Sequence, residues 1–258
     1  MIWLIGGTSE SVLVAKAIAG LNTRCIISVT TENARSLYKD IPLVKVIVDK
    51  LELYDLSVFI RKNKIQAIVD ASHPFANQIS AYAIDTSQEL NIPYLRFERK
   101  SLNFMESKNV IYLDSFTPLI EGDYLINSRA LITVGFKDVE LFKPLHRKAT
   151  LFARLLPAMT PFRYIFEAGF GPENIIAIRP PVTEDFERAL WQMWNIDTVV
   201  TKASGTEGGE DIKYNVAQEL GVKLIIIKRP EITYPQQTSN IQTVSNWVSQ
   251  QLIIDSNQ

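Results

Sequence analysis

Cysteine is almost absent from this chain. Cys25 is the only one, which excludes an intrachain disulfide framework and a cysteine-rich metal site. It lies in the apolar run 25–29 and reads as a buried strand residue. Histidine is nearly as scarce, with His73 and His146 only. No charge of one sign dominates: 27 Lys and Arg face 28 Asp and Glu, for a net charge of −1. That balance offers neither the basic surface of a nucleic-acid binder nor an acidic tail. Basic and aromatic residues do not interleave as a stacking ladder for single strands, so no nucleic-acid partner is expected. No apolar run approaches the roughly 20 residues of a membrane span. The N-terminus has no basic n-region or cleavage site, because an apolar strand begins at Ile2. A cytoplasmic protein without a membrane partner is the expectation. Several catalytic signatures are also missing: H-E-x-x-H, the G-x-S-x-G elbow, Walker A spacing, Cys/His metal spacing and a Tyr-x-x-x-Lys pair after a strand. Neither metal-dependent nor serine-nucleophile hydrolysis has visible apparatus, and no bound metal is expected.

What is present is apolar and periodic. Apolar residues make up 47% of 258 positions, enough to bury one large core or two smaller ones. Short runs apolar on both faces occur at 2–5, 24–30, 44–48, 66–70 and 94–97. Helical periods stand between them, at about 9–21, 51–62 and 75–90. A polar stretch, 100–109, reads as a linker. The alternation then resumes, with strands at 110–113, 130–134, 150–155, 174–178, 198–201 and 222–227. A helix entered through Thr160-Pro161 and one over 184–194 capped by Thr183 lie among them, followed by one over 211–220 and one at about 243–253. Such alternation predicts parallel sheets covered on both faces. The fold class is α/β, with two Rossmann-like doubly wound domains, 1–100 and 101–258, and a cofactor or substrate cleft between them. There is no short-period repeat and no low-complexity segment.

In open α/β sheets ligands gather beyond the carboxyl ends of strands. Gly6-Gly7-Thr8-Ser9 follows the first strand and opens a helix, where backbone N–H groups and the helix dipole suit a phosphate. The spacing departs from G-x-G-x-x-G, with Ser11 in the place of the last glycine. Thr30 and Thr31 end the second strand. They either accept a ribose 2′-phosphate near Arg35 or cap the next helix. The first choice tilts the cofactor toward NADPH, with NADH as the other possibility. His73 follows the fourth strand as a hydrogen-bond partner or proton donor. Arg96 and Arg99 follow the fifth, where guanidinium forks suit carboxylates. Alternation places Arg96 beside Glu98. Lys137 in the second half, and Lys202, Ser204, Gly205 and Lys213 in the run KASGTEGGEDIK, form a second candidate anion-binding set.

The stretches GGTSE (6–10), DASHPFANQISAYA (70–83), RFER (96–99), TVGFKD (133–138) and TKASGTEGGEDIKYNVAQELGVKLIIIKRP (201–230) appear in that order over most of the chain. Taken together they resemble the precorrin-6A reductase family of cobalamin biosynthesis. That resemblance implies two Rossmann-like domains and a nicotinamide cofactor. It also implies reduction of one ring double bond of precorrin-6A, or its cobalt form, to precorrin-6B. Lys100, Ser101 and Leu102 depart from the proline and tryptophan expected after RFER, and Thr206 from an adjacent glycine. With a tetrapyrrole substrate bearing acetate and propionate arms, Arg96, Arg99, Lys137 and Lys213 are its expected anchors and His73 the candidate proton donor. Gly6, Gly7, Thr8, Ser9, Thr30, Thr31, Lys202, Ser204 and Gly205 are the expected cofactor contacts. A monomer or weak homo-oligomer is expected. A dehydrogenase of a smaller substrate, and a two-domain ligand-binding or sensor protein without catalysis, are the alternatives.

Overall fold

The computed structural model describes residues 1–102, 104–105 and 107–255, so residues 103 and 106 of the expected linker lie outside the described residues. In chain order the elements open with β1 (Ile2–Ile5), α1 (Ser9–Gly20), β2 (Cys25–Val29), α2 (Glu32–Arg35), β3 (Val44–Val48), α3 (Leu53–Lys62), β4 (Ala67–Asp70), α4 (Asn77–Glu89) and β5 (Tyr94–Phe97). There follow β6 (Val110–Leu113), α5 (Phe116–Glu121), β7 (Arg129–Ile132), β8 (Thr150–Leu155), α6 (Met159–Glu167), β9 (Ile175–Ala177) and α7 (Glu184–Met193). The chain closes with β10 (Thr198–Lys202), α8 (Glu210–Leu220), β11 (Lys223–Ile227), β12 (Gln237–Thr238) and α9 (Ile241–Asp255). Thr183 does cap α7, its hydroxyl accepting the Phe186 N–H at 3.3 Å, and Gly221 ends α8 with φ +65°.

Two compact units result, each built on a six-stranded, all-parallel sheet. The first has the order β3-β2-β1-β4-β5-β12 and the second β9-β8-β7-β10-β11-β6. Both orders are doubly wound, reversing direction at β1/β4 and at β7/β10. The sixth strand has a different source in each. In the second unit β6 precedes the other five strands. In the first, β12 arrives from the far end of the chain. The expected boundary of 101–258 therefore needs correction, because Ser101–Pro230 form the second unit and the residues from Glu231 onward join the first. The short β12 carries no apolar signal, so periodicity does not reveal it. The carbonyls of Gln236 and Thr238 accept the Arg96 and Glu98 N–H groups at 2.9 Å each.

Alternation along β1 divides the first core. Ile2 and Leu4 pack with Val14, Ala15 and Ile18 of α1 and Val244 and Val248 of α9. Trp3 and Ile5 face the other layer, with Leu56 and Ile60 of α3 and Ala83 and Ile84 of α4. In the second unit Leu131, Val199, Leu224 and Ile226 pack against Leu190 and Trp191 of α7 and Val216 and Ala217 of α8. The end of the expected linker is anchored there too, since Asn109 donates to the carbonyls of Ala217 and Val222 at 2.9 Å.

Val244 and Val248 are fully buried, each contributing roughly 1.5–3 kcal/mol against a total domain stability of about 5–15 kcal/mol. A chain ending at Pro230 should therefore lose cooperative unfolding of the first unit and bind a hydrophobic dye. A melt unchanged from the full chain would show that β12 and α9 are dispensable.

Candidate functional site

The turn after β1 is shaped by what it must avoid. A Cβ on Gly6 would lie 2.5 Å from the Tyr38 hydroxyl and 2.8 Å from Ile27 Cγ2, so only glycine fits. Gly7 adopts φ +106°, with nothing within 4 Å of a Cβ, leaving its backbone open to approach. Its N–H, however, donates to the Tyr38 hydroxyl at 2.7 Å. The Gly6 N–H donates to the Ser28 carbonyl at 3.0 Å. Thr8 and Ser11 close a capping box at the start of α1, and the Thr8 hydroxyl donates to the Ala71 carbonyl at 2.9 Å. The N–H groups expected to cradle a phosphate are thus largely taken by the protein itself. Tyr38, 2% exposed, is the residue this reading lacked. Burial, opposed by its bonds to Ser11 and Gly7, raises its phenol above the ordinary value.

Beyond β4 and β5 lies a buried charge network. Asp70 is fully buried, and each of its oxygens is matched. Oδ1 accepts the Arg96 guanidinium at 2.8 Å and the Ser72 N–H at 2.9 Å; Oδ2 accepts the Ser80 hydroxyl at 2.6 Å and the Tyr94 hydroxyl at 2.7 Å. Burial pushes the carboxyl up, but Arg96 and the Ser80 and Ser72 donors outweigh it, leaving it below the usual carboxylate value. Arg96 also donates to Glu98 at 2.9 Å, as alternation requires, and lies 5.2 Å from the Tyr234 ring centroid. This corrects the expected role of Arg96. It is fully buried and committed inside the protein, so it is not an open receptor for substrate carboxylates.

The remaining first-unit residues divide. Thr8, Glu10, Ser72, Pro74, Glu98 and Arg99 line a small recess at these strand ends, itself too small to enclose a ligand. Arg99 pairs with Glu10 at 2.6 Å across it. His73 is exposed next to this pocket, and its Nδ1 accepts the Phe75 N–H at 3.2 Å. Ser9 and Thr30 are exposed, and Thr31 caps α2 through the Ala34 N–H at 3.2 Å. Arg35 pairs with Glu32 at 3.2 Å.

In the second unit, position in the sheet changes the correspondence that glycines alone suggest. The counterpart of the Gly6-Gly7 turn follows β7, where Gly135 has φ +85° and nothing within 4 Å of a Cβ. Lys137 is exposed two residues on. The run after β10 instead matches the end of β4, so Lys202-Ala203-Ser204-Gly205 stands where Asp70-Ala71-Ser72-His73 stands in the first unit. Lys202 is paired with Asp138. The Gly205 N–H donates to a Glu210 carboxylate oxygen at 2.7 Å. Burial raises the Glu210 carboxyl, against the pull of that N–H and of Arg229. Lys213, expected at the substrate, is 1% exposed and donates to the carbonyls of Gly208 and Gly209 at 2.7 and 3.0 Å. It too is corrected from an open anchor to an internal one.

Among the described residues no helix is long and apolar enough to cross a membrane. These features define a two-unit, doubly wound α/β protein with polar groups gathered at the carboxyl ends of both sheets. The family model described as precorrin-6x reductase CbiJ/CobK matches residues 1–249, and the chain belongs to that family. A cobalt-precorrin-6A reductase of Synechocystis sp. is 41% identical over 254 residues, 97% of each chain. One of Priestia megaterium is 34% identical, covering 95% of this chain and 96% of that one. Among solved structures, CobK precorrin-6A reductase superposes with a TM-score of 0.78 over 97% of this chain and 96% of that one. At 20% identity that likeness concerns the fold.

Two predictions come from the buried charges. Asp70→Asn removes the fully buried carboxylate from Arg96 and leaves it Glu98, so it should cost about 3 kcal/mol in denaturant unfolding, the lower end for a broken buried pair. In the wild type the Asp70 contribution is complete above the unfolded carboxyl value. It should fade as pH falls through the lower folded value, so the acid unfolding midpoint should move up in Asp70→Asn. Burial, reinforced by Arg154 and opposed by Glu187, Glu210 and Asp211, brings the Lys213 ammonium down to about 7. Folding then releases a proton between pH 7 and the ordinary lysine range, so stability should rise with pH over that window. Lys213→Met should flatten this rise in urea titrations at pH 7 and 9; an equal slope in the variant would refute the assignment.

Proposed function

We propose that this protein is a nicotinamide-dependent reductase that reduces one ring double bond of precorrin-6A, or of its cobalt form, in cobalamin biosynthesis. The observation that carries this reading is the family match over residues 1–249, together with the 41% identity to a cobalt-precorrin-6A reductase. The open backbone of Gly7 at a sheet's reversal point supports a cofactor there, approached from the face that no Cβ fills. The internal bonds of its N–H limit what the turn offers a pyrophosphate. The cofactor contacts are Gly6, Gly7, Thr8 and Ser9, with Thr30 and Thr31 at the ribose, and Lys202, Ser204 and Gly205 after β10. The exposed Thr30, next to the Thr31 that caps α2, tolerates a 2′-phosphate, which favours NADPH. When bound, reduced nicotinamide supplies the hydride.

The protein's own groups then bind, orient and hold a proton. Arg99 and Lys137 are the proposed anchors for the acetate and propionate arms of the tetrapyrrole. Arg99 turns to a substrate carboxylate by exchanging it for Glu10. His73 is the proposed proton donor. With Nδ1 accepting from the Phe75 N–H, a neutral ring carries its proton on Nε2, facing outward. The protein acts in the cytoplasm.

Anaerobic mixing with NADPH and precorrin-6A, with and without cobalt, should oxidise the nicotinamide and shift the macrocycle spectrum. No turnover with either substrate and either nicotinamide would overturn the proposal. Arg99→Ala should raise the KM for the tetrapyrrole about tenfold while leaving NADPH affinity unchanged. An unchanged KM would remove Arg99 from the site.

A further inference from the structure

The loop between β10 and α8 is held from behind by two side chains of that helix. Gly205 (φ +72°, ψ −172°) adopts a conformation open in practice to glycine alone, and Gly209 (φ +64°, ψ +36°) is left-handed, where glycine is favoured. Gly208 has no room for a Cβ, which would fall 1.8 Å from the Ser204 hydroxyl oxygen. The loop is therefore packed directly against Ser204. Its inward polar groups meet α8: the Gly205 N–H donates to Glu210, and the carbonyls of Gly208 and Gly209 accept from Lys213 Nζ. Glu210 is 2% exposed and Lys213 1% exposed.

Burying a carboxylate and an ammonium is expensive, and apolar residues of similar size generally serve stability as well or better. Neither group lies where an exposed ligand reaches it. What the two groups accomplish is local. Their side chains add to the backbone bonds of a glycine-rich loop, which run from Gly208 to Gly205, Gly209 to Thr206, Glu210 to Gly205 and Lys213 to Gly209, and so grip both of its ends. We infer that Glu210 and Lys213 are positioning residues that preset the 205–209 loop, and with it Ser204, for ligand binding. This rests on the proposed cofactor role of Ser204 and Gly205. Touching no ligand, the pair acts by preorganisation: a loop already ordered loses less entropy when it binds.

The test uses the full chain and NADPH as the probe. It compares Glu210→Ala, Glu210→Gln, Lys213→Met and Ser204→Ala by nicotinamide fluorescence titration and by amide hydrogen exchange over 204–210. Glu210→Ala and Lys213→Met should each weaken NADPH about tenfold and speed exchange in the loop by a similar factor. Glu210→Gln keeps an amide oxygen for the Gly205 N–H and should restore most of the affinity. Unchanged exchange in both Glu210→Ala and Lys213→Met would overturn the inference. Weaker NADPH binding in Ser204→Ala, with wild-type affinity in the α8 variants, would overturn it alone. Wild-type affinity in all four variants would overturn the loop's cofactor role and the positioning role with it. If Glu210→Ala does not fold, Lys213→Met and Glu210→Gln decide the matter.

Discussion

The carboxylate of Asp70 is the point to which the first unit is tied. An ionised group without water must be matched bond for bond, or it costs several kcal/mol. Here β5 supplies Arg96 and Tyr94, α4 supplies Ser80, and the chain after β4 turns so that the Ser72 N–H returns to it. Tyr234, from the C-terminal return, covers the guanidinium. Four separate segments thereby agree on one geometry. The residues that follow, Ser72 to Pro74 and Glu98 to Arg99, leave this fixed base as the wall of the strand-end pocket.

The two units solve the same problem with opposite charges. Each sheet reverses at one pair of strands, β1/β4 and β7/β10, and each has an open left-handed glycine after the first of the pair. After the second, Asp70-Ala71-Ser72 in one unit corresponds to Lys202-Ala203-Ser204 in the other. The deeply buried charges in the second unit lie behind its loop, with Glu187 held by Arg154 and the Trp191 indole, and Lys213 held by the loop's carbonyls. Internal pairing of this kind spends the obvious anion-binding groups on the protein's own architecture. Tyr38, Glu10 and Glu210 stand where a ligand's anions are otherwise expected.

Most of the fold was legible because the parallel strands are short, apolar on both faces and separated by helices with a clear period. The runs at 2–5, 44–48, 94–97, 110–113 and 150–155 appear as strands with those limits. The sixth strand of the first sheet was not legible. Gln237–Thr238 is two polar residues held by backbone carbonyls, and backbone bonding leaves no trace in side-chain pattern. The 101–258 boundary failed for the same reason. At the site, the strand-end rule located the right loops, while exposure within them stayed hidden. Arg96 and Arg99 are three residues apart and look alike in sequence, yet only the first meets Asp70 across neighbouring strands.

The sequence alone determined the two α/β halves, the glycine turns, the cap of α7 and the family, because these depend on local pattern and on residue order along the chain. Only the tertiary structure decided which charges are spent inside and which face outward. It also decided that the last segment belongs to the first unit, and that the turn after β7, not the Lys202 run, is the partner of Gly6-Gly7. Each of those outcomes depends on which strands lie side by side, and strand adjacency in a parallel sheet is set by crossovers spanning many residues.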